Sequence, residues 1–314
     1  AIGGSTTTAY GVISLIICII APLFLCFTIF GVREKREYND APPVSLKKIW
    51  KSITGNDQLL WISLIFLLQQ IGNGLIVGGI GSTYIYFDFG YNGGLFSLFT
   101  IVGMSVTAFL MIFYPAISRK IPRKKFMGIL LAVSMVGYAL MLIAGLSMPA
   151  EMPKFWVVTV GYMLSNFGQY GFYLVMMISI INTVEYNEYL SGDRDEAIIA
   201  SLRPFLTKMS SALIVLITNV AYMIFGVTKY TNRISDLENE CARSLITEQD
   251  KISSIGSVIN GIEPGKTLAL LICMVVIPCV LMLLSYILYK KHYKLDEDEY
   301  ERICGELDAR KRTA

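Results

Sequence analysis

Three polar residues recur along one face of the fifth long apolar segment of the sequence. Asn166, Gln169 and Tyr173 stand at positions i, i+3 and i+7, which is the spacing of one helix face. Polar side chains in a membrane are costly, so each is a candidate for a binding site. An aromatic ring covers the C–H face of a sugar while amides bind its hydroxyl groups, so this face suits a polyhydroxylated solute. The alternative is a polar contact between two helices, which membrane bundles use routinely.

The sixth apolar segment carries a second polar face, in which Lys208 aligns with Ser211, Val215 and Asn219 at helical spacing. Lys208 is the only charge well inside an apolar run, and its depth depends on where the helix begins. A helix that starts at Glu196, with Asp195 as its cap, places Lys208 about 18 Å along the axis. A helix that starts at Pro204 leaves Lys208 near the membrane surface. Periodicity is equally consistent with both.

The second apolar segment combines the amides Gln69, Gln70 and Asn73 with glycines at positions 72, 74, 78, 79 and 81. Glycines in membrane helices allow either close packing or local unwinding, and the pattern fits both. The candidate substrate-binding residues are Tyr173, Lys208, Gln169, Asn166, Asn219, Gln69 and Asn73.

A dense charged cluster separates the fifth and sixth apolar segments, at residues 182–196. One interpretation is a solvated loop whose surface ion pairs contribute about 0–1 kcal/mol each. The other is a cytoplasmic latch, in which Arg194 pairs with Glu185, with Glu188 or with a carboxylate of another helix in one access state only. The predicted latch residues are Asn182, Glu185, Glu188, Arg194, Glu196, Arg119 and Arg123, with Lys124 as a further cation.

Positioning these residues requires helices, and the composition indicates a membrane protein. Of the 314 residues, 54% are hydrophobic and 16% are charged, whereas a soluble domain carries about a quarter charged residues. Seven segments are long enough to cross about 30 Å of hydrocarbon: residues 9–31, 59–81, 93–116, 126–147, 155–183, 203–227 and 267–289. Because backbone groups in lipid must pair internally, each is predicted to be a helix. The predicted fold class is an all-α integral membrane bundle.

Composition also excludes several classes of function. The net charge of +3 comes without the basic stripe that nucleic acid requires, so we expect no nucleic-acid partner. One histidine, His292, and six cysteines without C-x-x-C spacing offer neither a metal cluster nor a nucleophile–base pair. We therefore expect no enzyme, no metal site and no cofactor.

Loop charges predict the orientation of the chain in a plasma (inner) membrane. Basic residues are concentrated in the first loop, in the third loop and at the start of the tail, for example Arg33, Arg119 and Lys290. Since cationic loops stay in the cytoplasm, we expect a multi-pass protein whose first helix starts outside and whose tail lies inside. The mixed-charge loop at 228–266 is then external, as a lid or an insertion. The sequence does not begin with Met, and we expect it to be a fragment that lacks an N-terminal part.

The spacing of the spans predicts the end of one bundle followed by a whole second bundle. Residues 1–31 would hold the last helix of the N-terminal bundle, and residues 32–58 a central cytoplasmic loop with a short amphipathic piece at 46–53. Residues 59–289 would form a six-helix C-terminal bundle with its external loop at 228–266. Residues 290–314 would be a cytoplasmic tail with a surface helix at the membrane edge. Transporters built from repeated six-helix halves have this layout.

The charged cluster also carries a specific pattern, Glu185-Tyr-Asn-Glu188-(x)5-Arg194-x-Glu196-(x)4-Ser201-(x)6-Lys208. It resembles the glycoside–pentoside–hexuronide cation symporters, the melibiose-carrier-like branch of the major facilitator superfamily, which has D-x-x-D-Y-x-E-x-x-x-x-x-R-x-E in the same loop and a Lys 14 residues after the Arg. The acidic stretch that follows Lys294 is also similar. Three positions depart from the pattern: Asn182 replaces its first Asp, Glu185 replaces its second Asp conservatively, and Pro204 stands where the melibiose carrier has a hydroxyl residue.

The resemblance implies a major facilitator-type fold, with seven transmembrane helices present of an expected twelve. It implies symport of a sugar (glycoside, oligosaccharide, pentoside or hexuronide) with Na⁺ or H⁺ by alternating access, with the cation site mostly in the missing N-terminal half. It places the residues matching Lys208 and Tyr173 in the sugar cavity, and Arg194 in the cytoplasmic charged network. We expect a small sugar and membrane lipid as partners of a monomer. The alternatives are a non-transporting receptor or scaffold of the same fold and a proton-coupled exporter of another solute.

Overall fold

The computed structural model describes residues 6–31 and 45–313, and these contain twelve helices and no strand. The helices are α1 (Thr6–Gly31), α2 (Leu46–Gly55), α3 (Asp57–Val77), α4 (Gly79–Phe89), α5 (Gly93–Ser118), α6 (Arg123–Ser147), α7 (Met152–Ser191), α8 (Glu196–Ile224), α9 (Thr228–Ala242), α10 (Glu248–Asn260), α11 (Pro264–His292) and α12 (Glu297–Thr313). Seven segments are long and apolar enough to cross a membrane, and one of them, Asp57–Phe89, joins α3 and α4. The predicted all-α membrane class and the seven spans are therefore confirmed.

The chain divides into two compact units. One contains α1, α10 and α9 from Tyr230 onward, and the other contains α2 to α8, α11 and α12. In the first unit, α9 and α10 occupy most of the predicted external loop, and Lys251 pairs with Glu248 at 2.6 Å and with Glu238 at 3.7 Å. Residues 32–44 of the predicted central loop, with the basic residues that start it, lie outside the described residues.

The core of the second unit lies between α3, α6, α7 and α11, which pack extensively on one another. α5 joins this core through its contact with α7. There Phe99 stacks on the fully buried Tyr162, with ring centroids 4.5 Å apart. The most buried of the seven spans is α7, so the polar residues on it must satisfy their hydrogen bonds within the bundle.

The second span is broken at Gly78, where the backbone leaves helical geometry (ψ −154°) between α3 and α4. A side chain at Gly81 would place its Cβ 1.7 Å from the Ile76 carbonyl oxygen, so only glycine fits after the break. On α8, the Tyr222 hydroxyl donates to the Gly79 carbonyl at 2.6 Å. Close packing and local unwinding, which the glycine pattern left open, both occur in this span.

α7 continues past the predicted end of its span at residue 183 and stops at Ser191, after 40 residues, or about 60 Å. Residues 182–191 of the charged cluster are therefore its last turns rather than a loop. Gly192 ends the helix in the left-handed conformation (φ 77°). α8 then starts at Glu196 and contains Pro204, which settles where the helix carrying Lys208 begins.

The tail forms α12 and packs against α7. Its apolar residues Ile303 and Leu307 are 0% and 6% exposed. The apolar side of α12 is therefore buried against the protein, and its place at the membrane edge stays a prediction.

Candidate functional site

Two of the predicted sugar-binding amides form a buried chain between helices. The Gln69 amide on α3 donates to the Gln169 carbonyl at 2.9 Å and to its side-chain oxygen at 3.1 Å. The Gln169 amide in turn donates to the Tyr138 hydroxyl on α6 at 2.8 Å. Both glutamines are at most 1% exposed, and the Gln69 side-chain oxygen has no hydrogen-bond partner in the described part of the chain. In this conformation the two amides hold α3, α6 and α7 together, which is the helix–helix alternative. Their contact with a substrate stays a prediction.

Asn166 lies in a similar position between α7 and α5. Its amide donates to the Gly103 carbonyl at 2.9 Å and to the Thr107 hydroxyl at 3.2 Å. The side chain is 1% exposed, and its oxygen has no partner among the described residues. An unpaired buried acceptor costs about 1–3 kcal/mol, so this oxygen and that of Gln69 each raise the energy of this conformation. Other buried oxygens without a partner among the described residues include the hydroxyls of Ser63, Tyr114, Tyr162 and Thr218.

Tyr173 is the member of the first polar face that remains accessible. Its hydroxyl lies 2.5 Å from Nη2 of Arg203 on α8, and the guanidinium carbon is 5.8 Å from the ring centroid. The ring also contacts Phe66 on α3, with centroids 5.9 Å apart. Arg203 was missed in the sequence because it stands at the predicted edge of its span. Once the helix is known to start at Glu196, Arg203 lies about 10 Å along it.

Lys208 lies about 18 Å along α8, the deeper of the two expected positions. It is exposed, as is Asn219 on the same helix, and it makes no ion pair with any described residue. Asn73 on α3 is half-buried and has no hydrogen bond to the described residues. Arg203, rather than Lys208, contacts Tyr173. Accessible polar groups are distributed over α3, α7 and α8, which pack on one another: Asn73, Tyr173, Arg203, Lys208 and Asn219. We call this set of groups the polar face.

The charged cluster is organised around Arg194, which pairs with Glu185 at 3.0 Å, Glu188 at 3.1 Å and Glu196 at 3.4 Å. The left-handed turn at Gly192 reverses the chain and brings the guanidinium back over the last turns of α7. Glu188 also pairs with Lys311 of the tail at 2.8 Å. The predicted pairing of Arg194 with these carboxylates is present, whereas its role as a latch stays a prediction.

The second predicted set of latch cations is tied to the tail. Arg123 is 8% exposed, and both its backbone N–H (2.8 Å) and its Nε (2.9 Å) donate to Glu297. With its amide oxygen toward the guanidinium, Asn182 accepts from Nη1 of Arg123 at 2.6 Å. Burial alone would raise the pKa of Glu297, but the hydrogen bonds from Arg123 lower it below its usual value. Arg119 is exposed and pairs with no described carboxylate.

Asp195 stands at the N-cap position of α8, but its side chain makes no capping hydrogen bond. The carboxylate instead accepts from the Ser52 hydroxyl and pairs with Lys48 of α2 at 3.2 Å. Of the two alternatives for the start of this helix, the structure therefore shows the one at Glu196, but without the side-chain cap that it included. The side chain holds α2 instead.

A buried ion pair lies at the opposite end of the bundle. Lys154 on α7 and Asp88 on α4 are 2.7 Å apart, with side chains 8% and 9% exposed, and the Tyr84 hydroxyl donates to Asp88 at 2.8 Å. They border a cavity of about 440 Å³ next to the start of α11. The sequence did not predict this pair, because Asp88 and Lys154 are single charges in two separate predicted loops. Among the residues that the structure describes, no group of three or more His, Cys, Asp or Glu is placed to hold a metal ion.

Comparison with known proteins adds the family. A sequence model of the family described as MFS/sugar transport protein matches residues 1–297. The chain belongs to this family. This match confirms two predictions at the level of the family: that the chain is a multi-pass membrane protein, and that it resembles the glycoside–pentoside–hexuronide symporters.

Three relatives with carrier or permease names match between 63% and 96% of the chain. The chain is 25% identical over 308 residues to the raffinose carrier protein of Pediococcus pentosaceus, covering 96% of this chain and 42% of that protein. It is 28% identical over 205 residues to the lactose permease of Leuconostoc lactis, covering 63% and 30%. It is 22% identical over 308 residues to the lactose permease of Lactobacillus helveticus, covering 96% and 42%. The chain therefore spans less than half the length of these relatives.

Proposed function

We propose that this chain forms the C-terminal seven-helix portion of a sugar:cation symporter that works by alternating access. The observation that carries the proposal is the polar face, with Lys208 unpaired among the described residues and Tyr173 held by Arg203 on membrane-crossing helices. A cation in that position is costly unless it meets water, a solute or a carboxylate. A cavity shared with a second bundle supplies these partners, and the raffinose and lactose carriers among the relatives point to an oligosaccharide as the solute.

In this mechanism Tyr173 offers an aromatic surface to the sugar, while Lys208, Arg203 and Asn73 donate hydrogen bonds to its hydroxyl groups. Na⁺ or H⁺ binds mostly outside this chain and is coupled to the sugar because each ligand favours the same conformation. On the cytoplasmic side, the ion pairs of Arg194 would form in one access state and break in the other. The first helix would start on the external side of the membrane, and the tail would lie in the cytoplasm.

The test is uptake of labelled raffinose, lactose and melibiose by proteoliposomes that contain the complete carrier. The Na⁺ gradient and the pH gradient are imposed separately, so that the coupling ion is identified by the gradient that drives uptake. Lys208→Gln is expected to reduce uptake at least tenfold, because a hydrogen bond from a charged donor contributes about 1.5–3 kcal/mol. The matched control is Lys290→Gln, which removes an exposed cation at the end of α11.

Three results would contradict the proposal. Sugar binding without uptake under either gradient would indicate a receptor or scaffold of the same fold. Efflux of a non-sugar solute driven by protons would indicate an exporter. Full uptake by Lys208→Gln would remove the polar face from the mechanism. Neither the isolated chain nor the complete carrier without a gradient is expected to concentrate sugar.

A further inference from the structure

The short amphipathic helix α2 has two different faces. At 100° per residue, Lys48, Ile49, Ser52 and Ile53 fall on one side of it, and Leu46, Lys47, Trp50 and Lys51 on the other. The first side faces the protein, since Ser52 is 8% exposed and donates to Asp195 while Lys48 pairs with Asp195. The second side, which we call the outward face of α2, is exposed, with Leu46 85% and Trp50 71% accessible.

α2 is held rigidly against the membrane-crossing helices. Only Asn56 separates it from α3, and this side chain caps α3 by accepting from the Leu59 N–H at 2.9 Å. The same amide donates to the Thr183 carbonyl of α7 at 3.0 Å. Lys48 adds a contact of 3.6 Å with Asp193. The outward face is therefore presented in a fixed direction, one residue away from the start of a membrane span.

The charge of this region identifies what the outward face fits. α2 contains no acidic residue, and Lys47 and Lys51 pair with no carboxylate in the described part of the chain. Lys294, just after α11, donates its N–H to Gln58 at the start of α3 at 2.7 Å. Arg123 at the start of α6 donates to Glu297 of the tail at 2.9 Å. The basic ends of α6 and α11 therefore lie on the same side as α2. Several further lysines there are exposed and make no ion pair with described residues: Lys120, Lys125, Lys290 and Lys291.

We propose that the outward face of α2 is an interfacial membrane anchor, in which Leu46 and Trp50 enter the headgroup region and Lys47 and Lys51 bind anionic phospholipid. Trp and Leu flanked by Lys is the composition of helices that lie in the membrane interface. Juxtamembrane lysines are attracted by the anionic cytoplasmic leaflet. A protein partner for the same face would have to be apolar and acidic together, and neither Lys47 nor Lys51 forms an ion pair with a described carboxylate. Through Lys48 and Ser52, the anchor would hold the turn that precedes α8.

The test places a spin label at position 50 (Trp50→Cys, with the native cysteines replaced by Ser) in the complete protein, reconstituted into vesicles of phosphatidylethanolamine and phosphatidylglycerol. Accessibility to oxygen, which concentrates in lipid, is compared with accessibility to a water-soluble nickel chelate. Ile287→Cys on α11 serves as the lipid-exposed control and Asp298→Cys in the tail as the aqueous control, since both native residues are exposed. We expect the label at position 50 to resemble the one at position 287.

A second measurement avoids the substitution of Trp50. Every tryptophan other than Trp50 is replaced by Phe. The fluorescence of Trp50 is then measured in vesicles that contain lipids brominated near the headgroup. We expect quenching that weakens when phosphatidylglycerol is replaced by phosphatidylcholine, and loss of this dependence on lipid charge in Lys47→Gln/Lys51→Gln. Strong access to nickel would place the face in water, and protection from nickel, oxygen and bromine together would place it against protein. Either result would overturn the proposal, and neither depends on sugar uptake.

Discussion

The buried pair of Lys154 and Asp88 offers the sharpest test of the fold. At 2.7 Å, two unit charges attract by about 6 kcal/mol at an effective dielectric constant of about 20. Much of this attraction only offsets the loss of hydration, so the pair itself adds little net stability. Removal of one partner is different, because it leaves a charge buried alone. Such changes cost about 3–5 kcal/mol, and we expect that cost for Lys154→Met and for Asp88→Asn.

The assay is thermal unfolding of the purified complete protein in lipid nanodiscs, at one scan rate because membrane proteins often unfold irreversibly. At about 2–4 °C per kcal/mol, each single variant should lower Tm by at least about 6 °C. The double variant Asp88→Asn/Lys154→Met leaves no buried charge and should recover half or more of that loss. Lys290→Met, which removes an exposed cation, should change Tm by no more than about 1–2 °C.

Two outcomes would refute this reasoning. Single variants that match the parent would mean that the two side chains are hydrated, contrary to exposures of 8% and 9%. A double variant as unstable as the sum of the singles would mean that the charges do not interact. The Tyr84 hydroxyl, which donates to Asp88 at 2.8 Å, can also donate to the amide oxygen that Asp88→Asn introduces and should not obscure the result.

Contacts elsewhere in the chain support three more predictions. Arg203→Gln should weaken sugar binding at least about tenfold, since a charge-assisted hydrogen bond contributes about 1.5–3 kcal/mol. Calorimetric titration of the complete carrier measures the affinity, and an unchanged affinity would separate Arg203 from the site. Arg123 holds the pKa of Glu297 below its usual value. The stabilisation that ionised Glu297 gives to tail docking should therefore be complete above the unfolded pKa of about 4.3 and lost as pH falls through the lower folded pKa. Hydrogen exchange across α12 measures this, and protection that does not change with pH would contradict it. Gly81→Ala should destabilise the protein by about 2–3 kcal/mol, because its Cβ would lie 1.7 Å from the Ile76 carbonyl oxygen; wild-type Tm in that variant would argue against the break.

The elements of this fold were largely predictable because hydropathy and charge act locally. Seven apolar runs predicted the seven spans that the helices contain. The end of α7 was not predictable in that way. The apolar run ends where the charges begin near Glu185, whereas the helical hydrogen bonding of the backbone continues until Gly192 takes a left-handed conformation. A glycine after a polar helix end is a signal that could have marked this boundary.

Partner choice was the part that the sequence could not supply. Periodicity placed Asn166 and Gln169 on one helix face, but it carries no information on which helix packs against that face. The partners proved to be Gly103 and Tyr138, 63 and 31 residues away. Arg194 was predictable because its carboxylates lie 6 and 9 residues away, on the same local turn.

The same contacts constrain how the proposed latch could operate. In this conformation Arg194 is satisfied by three carboxylates of its own bundle, and Glu188 is shared with Lys311 of α12. A latch between two bundles then requires a competitor that takes one of these groups from its present partner. The exchange need not be costly, because Arg194 is 45% exposed and ion pairs at such positions contribute about 0–1 kcal/mol each. In a latch of this kind the tail would take part, since a group that draws Glu188 away would also remove its ion pair with Lys311 of α12.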